Sequence, residues 1–149
     1  MRFVKDWLPA LLWMAFIFAM STDLGSAVHT SRLLGPLLRW LKPDLTHEQL
    51  EWVQFLVRKA GHLTEYAVLA GLLARAIRAS LRPAPAWLGR AVGLAWTGAA
   101  AYAATDEFHQ SFVPTRTASF GDVVIDACGA ALGLALVLIW RRFRKRPVA

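Results

Sequence analysis

Gly121-Asp-Val-Val-Ile-Asp126-Ala-Cys-Gly129-Ala-Ala-Leu-Gly133-Leu-Ala-Leu-Val-Leu-Ile-Trp140 is an apolar run with an aspartate in its first turn. Val123 to Trp140 approaches the roughly 20 residues that a helix needs to cross a bilayer. An ionisable group inside such a run is costly unless it faces a packed polar interior or a working site. At about 100° per residue, Asp122, Asp126, Gly129 and Gly133 fall on one helical face. Glycines at that spacing let a neighbouring helix approach closely. The stretch therefore predicts a packed transmembrane helix whose two aspartates point inward.

Three further segments extend this reading toward the N-terminus. Trp7 to Thr22 is uncharged, with Arg2 and Lys5 before it and Gly25-Ser26-Ala27 after it. That pattern also suits a secretory signal with a small-residue cleavage site; Trp7, Pro9 and Trp13 favour a retained span. Residues 23–50 carry Arg32, Arg39, Lys42, Pro36 and Pro43 among Leu33-Leu34, Leu37-Leu38 and Trp40-Leu41. They predict a short amphipathic segment at the membrane interface. Thr46-His-Glu48-Gln49 reads as an N-cap and polar first turn, starting a long helix that runs to about Arg75. Only Tyr66 to Ala74 is uncharged there, so a full span must include Lys59, His62 and Glu65. After the Pro83–Pro85 break, the uncharged run Ala91 to Thr105 is also short of a span. Either Arg90 snorkels outward or Asp106 and Glu107 lie at the membrane boundary. The expected fold is all-α: one domain over residues 1–149, with four transmembrane helices at approximately 6–22, 50–75, 86–106 and 121–140.

The chain has 149 residues, is 56% hydrophobic and carries a net charge of +7. The basic residues gather at the ends of apolar segments. No zinc-finger spacing, Walker sequence or GxGxxG fingerprint accompanies them, so nucleic acid is excluded as the expected partner. With the N-terminus inside, eleven basic residues fall on the cytoplasmic side (Arg2, Lys5, Arg75, Arg78, Arg82, Arg90, Arg141, Arg142, Arg144, Lys145, Arg146) and four outside (Arg32, Arg39, Lys42, Arg116). That asymmetry predicts four spans with both termini cytoplasmic. The single cysteine, Cys128, forms no intrachain disulfide and is expected as a small buried packing residue. His29 and His47 are placed in the outer loop without a role. Trp7, Trp13, Trp52, Trp87 and Trp140 fit an interfacial belt, and the run from Arg141 to Arg146 fits a topology anchor.

The same topology brings two polar clusters toward the outer leaflet: Lys59-Ala-Gly-His62-Leu-Thr-Glu65-Tyr66, and Asp106-Glu107-Phe-His109-Gln110 onward to Arg116, Asp122 and Asp126. Lys59, His62 and Tyr66 share a helical stripe with Glu65 on its flank; Asp106, His109 and Gln110 share a face if their helix continues. Buried ions pair or change protonation state, so Lys59 and Arg116 are each expected to bridge carboxylates. Arg116 has the planar fork that holds two carboxylates or a phosphate. Lys59, His62, Glu65, Tyr66, Asp106, His109, Gln110, Arg116, Asp122 and Asp126 thus form a candidate ligand pocket. His62, Glu65, Asp106, Glu107 and His109 also have the residue types of an acid–base set or a divalent-metal site, although no HExxH or comparable spacing identifies one. Neither Ser111 nor Ser119 lies in a GxSxG elbow.

Arg58-Lys59-Ala-Gly-His62-Leu-Thr-Glu65-Tyr66 and Asp106-Glu107-Phe-His109-Gln110-Ser-Phe112-Val-Pro114-Thr-Arg116, followed by Asp122, Asp126 and Gly129, closely resemble the VanZ-like family of small bacterial membrane proteins. The resemblance covers nearly the whole chain. It implies a bacterial envelope protein, which the four apolar segments place as a multi-pass protein of the inner membrane, and the family's name member is associated with low-level resistance to the glycopeptide teicoplanin. It assigns no reaction, and no role to Asp23-Leu-Gly25. Three uses of the pocket stay open. One is binding of a phosphate- or sugar-bearing envelope component, with membrane lipid, a lipid-linked precursor or a glycopeptide as partner. Another is metal-dependent or acid–base catalysis on a lipid-linked substrate. The third is a buried charge network that only fixes helix register.

Overall fold

The computed structural model describes residues 2–81 and 88–144. Five α-helices account for most of them: α1 (Arg2–Ser21), α2 (Ala27–Leu41), α3 (His47–Ser80), α4 (Leu88–Gln110) and α5 (Phe120–Arg144). A single 3-10 turn, Asp23–Gly25, joins α1 to α2. The all-α expectation holds, and α2 is the amphipathic segment predicted after the first helix. The Pro83–Pro85 break, Arg82, Trp87, Lys145 and Arg146 lie outside the described residues.

Local signals set the helix ends. Thr46 and Gln49 form a reciprocal capping box at the start of α3, each side chain accepting the other's backbone N–H at 3.2 Å. Ser26 caps α2, accepting the His29 N–H. Ser119 does the same for α5, its hydroxyl accepting from Gly121. Pro9 sits inside α1, where it has no N–H to offer the carbonyl of Lys5. Arg75 from α3 donates to that carbonyl at 3.2 Å and to the carbonyl of Asp6 at 3.3 Å. The helix thus keeps its course past the proline.

Cross-helix contacts define the packing directions. Trp7 Nε1 donates to Ser80 Oγ at 2.9 Å and Trp13 Nε1 to the Glu65 carbonyl at 2.9 Å, so α1 runs antiparallel to α3. Tyr102 donates to the Met14 carbonyl at 2.7 Å, while His109 meets Ser21, so α1 and α4 run parallel. The closest and most extensive interface joins α3 to α5, which are also parallel. A Cβ on Gly129 or Gly133 would collide with the backbone of Leu63 or Ala67, so the predicted glycine stripe permits this approach. On α4 the matching surface is Ala91, Ala95, Ala99 and Ala103, all fully buried at four-residue spacing. Small side chains again allow close backbones, and Asp106, Glu107 and Gln110 continue that face.

The four long helices therefore place the start of α1 beside the end of α3, and all the buried acids at the opposite end. At 1.5 Å per residue, α3 spans about 50 Å against about 30 Å for α1. Its first turns project past the bundle alongside α2, to which Gln54 is tied by Ser31 at 2.6 Å. Large apolar side chains such as Leu12, Phe18, Leu132 and Leu136 face outward, whereas Asp106, Glu107, Asp122, Asp126 and His62 are buried. By length and composition, Phe3–Ser21 and Phe120–Arg144 are the two described helices suited to crossing a membrane.

The expectations for Cys128, His29 and His47 need correction. Cys128 is exposed, because it stands about 100° round α5 from Gly129 and points away from α3. Trp7 and Trp13 are half-buried donors between helices; Trp52 and Trp140 are exposed, Trp140 with Arg144 stacked 4.7 Å from its ring. His29 and His47 lie in the first turns of α2 and α3, where the caps begin the helices earlier than a loop reading allows. His29 Nδ1 is 3.0 Å from Ser26 Oγ, and His47 pairs with Glu51 one turn on.

Candidate functional site

The buried acids converge where α3, α4 and α5 meet the loop 111–119. Lys59 of α3 forms an ion pair with Asp122 in the first turn of α5. One turn further along both helices, His62 Nδ1 lies 3.3 Å from Asp126 Oδ1, close but not aligned for a hydrogen bond. Parallel α3 and α5 thus match lysine to aspartate and then histidine to aspartate. Asp106 accepts from Gln110 at 3.1 Å, four residues on along α4. Glu107 Oε2 accepts the Ser119 backbone N–H at 2.8 Å, which ties the end of the loop to α4.

Arg116 differs from its expected arrangement. Its guanidinium donates to the carbonyl of Gly25 and forms no ion pair among the described residues. The reason is the 3-10 turn, which presents that carbonyl to the loop. Beside it, Thr115 donates to Asp23 Oδ1 at 2.6 Å, so two adjacent loop residues grip the α1–α2 connection. Thr115's hydroxyl, with a smaller contribution from His29, holds the exposed Asp23 carboxyl below its ordinary range. A Cβ at Gly25 would strike the Met20 backbone, so the turn itself requires glycine.

Two adjoining cavities open at this end. The larger, about 300 Å³, has Arg58, Lys59, His62, Arg116 and Asp122 in its wall. The smaller, about 160 Å³, reaches toward α1 and adds Ser21, Glu65 and Asp106. Arg58, His62, Gln110 and Arg116 line both. Seven buried polar side-chain atoms around them have no hydrogen-bond partner among the described residues: His62 Nδ1, Tyr66 OH, Asp106 Oδ1, Glu107 Oε1, Arg116 Nε and both oxygens of Asp126. Native interiors satisfy nearly all such groups with protein, water or ligand, so this density marks a place built to hold polar matter.

The structure gathers Lys59, His62, Glu65, Tyr66, Asp106, Glu107, Gln110, Arg116, Asp122 and Asp126 at one end of the bundle. His109 stands apart from both cavities. Its ring packs 4.5 Å from that of Phe18, with Nδ1 3.2 Å from Ser21 Oγ. Ser21 and Arg58 line the cavities without being among the expected pocket members; Ser26, also buried, caps α2 and lines neither cavity. A serine directly before a helix is a capping signal, so Ser26 was findable; Ser21 had no such mark. For a metal, the group brought together is His62, Glu107 and Asp122, whose ligand atoms lie within 4.8 Å of one another.

No match was found among curated proteins or among solved structures. The VanZ/LLP1 family model matches residues 6–141, a stretch that includes every residue of both cavities and the α1–α2 turn that Arg116 holds. On that match, the chain belongs to the VanZ/LLP1 family.

Proposed function

We propose that this VanZ/LLP1 protein crosses the bacterial inner membrane four times, with both termini cytoplasmic and the polar end outward. There it binds a phosphate- or sugar-bearing component of the cell envelope. The observation that carries the reading is the cation-lined cavity. Lys59 is neutralised by Asp122, whereas Arg58 and Arg116 face the same space with no ion pair among the described residues. Two guanidiniums without a direct ion pair in a partly enclosed polar pocket favour an anion, and their forked donors suit phosphate.

The distribution of apolar surface supports the four spans. α1 and α5 are apolar enough alone, and α3 and α4 turn His62, Asp106 and Glu107 into the bundle. Large side chains outside with ions inside reverse the arrangement of a water-soluble protein. The eleven-to-four basic asymmetry supports the orientation. α2 presents Leu33, Leu37 and Trp40 on its exposed side, as an interfacial helix does. A pocket beside such a helix is accessible to a headgroup arriving in the outer leaflet. The teicoplanin association of the family's name member fits a protein that engages an envelope component, and glycopeptide susceptibility is its cellular readout.

The test is mass spectrometry of lipids that copurify with the full chain in mild detergent. A phosphate-bearing lipid should be retained by the wild type and lost from Arg58→Ala and Arg116→Ala variants that elute normally on size exclusion. Equal retention by both variants sinks the anion reading; recovery of a neutral glycolipid alone replaces phosphate with sugar.

A further inference from the structure

We infer that His62, Glu107 and Asp122 form a divalent-metal site beside this pocket, with His62 and Asp122 in its wall and Glu107 behind them. The three residues come from three helices, α3, α4 and α5, and each offers an atom within 4.8 Å of the other two. Ligands about 2.0–2.2 Å from a shared first-row ion sit roughly 3–4 Å apart, within reach of small side-chain rotations here. All three are at least nine-tenths buried, with exposures of 9%, 5% and 7%.

The surroundings of each ligand point the same way. Glu107 is held through Oε2 by the Ser119 N–H, while Oε1 is buried with no partner. His62 Nδ1 lies 3.3 Å from Asp126 Oδ1, so a small rotation of the ring would let Nδ1 donate to that carboxylate and leave Nε2 for the ion. A carboxylate behind the imidazole is the usual way a metal-bound histidine is oriented and made more basic. Asp122 gives one oxygen to Lys59 and keeps the other. Lys59 also offsets part of the negative charge that two carboxylates bring.

One imidazole and two carboxylates suit Zn²⁺ or Mn²⁺ better than Ca²⁺ or Mg²⁺, which prefer oxygen alone. Three protein ligands leave at least one coordination position open to the cavity. Glu65 and His109, with the residue types of ligands, are outside this group. The site does not rest on the anion reading, since a metal is measured without any envelope component.

The experiment strips the detergent-purified chain with chelator, equilibrates it with Zn²⁺ or Mn²⁺, and counts bound ion by elemental mass spectrometry. Mn²⁺ is followed in parallel by electron paramagnetic resonance. Wild type and Glu48→Gln, an exposed carboxylate in the first turn of α3 far from the site, should each bind about one ion per chain with equal affinity. The near-isosteric Glu107→Gln should lose the ion, and Asp126→Asn should weaken it about 10–100-fold. Substoichiometric binding by the wild type overturns the site, as does unchanged binding by Glu107→Gln. A wild type that binds the ion but retains no phosphate-bearing lipid counts against the anion reading alone.

Discussion

At the residue scale, the site is organised by pairs one helical turn apart on parallel helices. Lys59 meets Asp122 and His62 approaches Asp126, so a single register between α3 and α5 sets both contacts. Arg116 and Thr115 act differently, clamping the loop onto the turn that ends α1. Asp23 gives that clamp a pH dependence. Its folded-state pKa is lowered from 3.8, so its contribution is present above that value and disappears as pH falls through the lower folded one. Acidification should therefore loosen the 111–119 loop. Melting temperatures of wild type and Asp23→Asn should converge as pH drops from about 6 to about 3, a small effect for an exposed carboxylate. A constant gap across that range would show that Asp23 does not hold the loop through its charge.

At the scale of elements, the decisive surface is the small-residue seam between α3 and α5. Gly133 abuts the Ala67 backbone so closely that one methyl group must move the helices apart. Gly133→Ala should cost about 1–3 kcal/mol by overpacking, read as a lower melting temperature in detergent. Gly93→Ala is the control, because nothing lies within 4 Å of its added Cβ. If the two variants melt alike, the seam is looser than described. The seam was legible in advance, since Asp122, Asp126, Gly129 and Gly133 align at helical spacing. The alanine face of α4 escaped notice because alanine carries no chemical signal, and its burial follows from what packs against it.

Across the whole molecule, antiparallel α1 and α3 and parallel α3 and α5 put both helical termini at one end and the acids at the other. In the proposed orientation, a cysteine at Thr117 in a Cys128→Ser background should react with impermeant maleimide on intact spheroplasts. One at Arg142 should react only after permeabilisation; the reverse pattern inverts the topology. The sequence by itself determined the helical class, the apolar segments, the inward face of α5 and the identity of most pocket members. Those follow from periodicity, charge placement and caps, all local along the chain. Only the tertiary structure decided which groups meet. Arg116 binds a backbone carbonyl from residue 25, His109 turns to α1, and His62, Glu107 and Asp122 gather from three helices. The register and facing of helices depend on packing between residues dozens of positions apart, and spacing within one helix does not specify it.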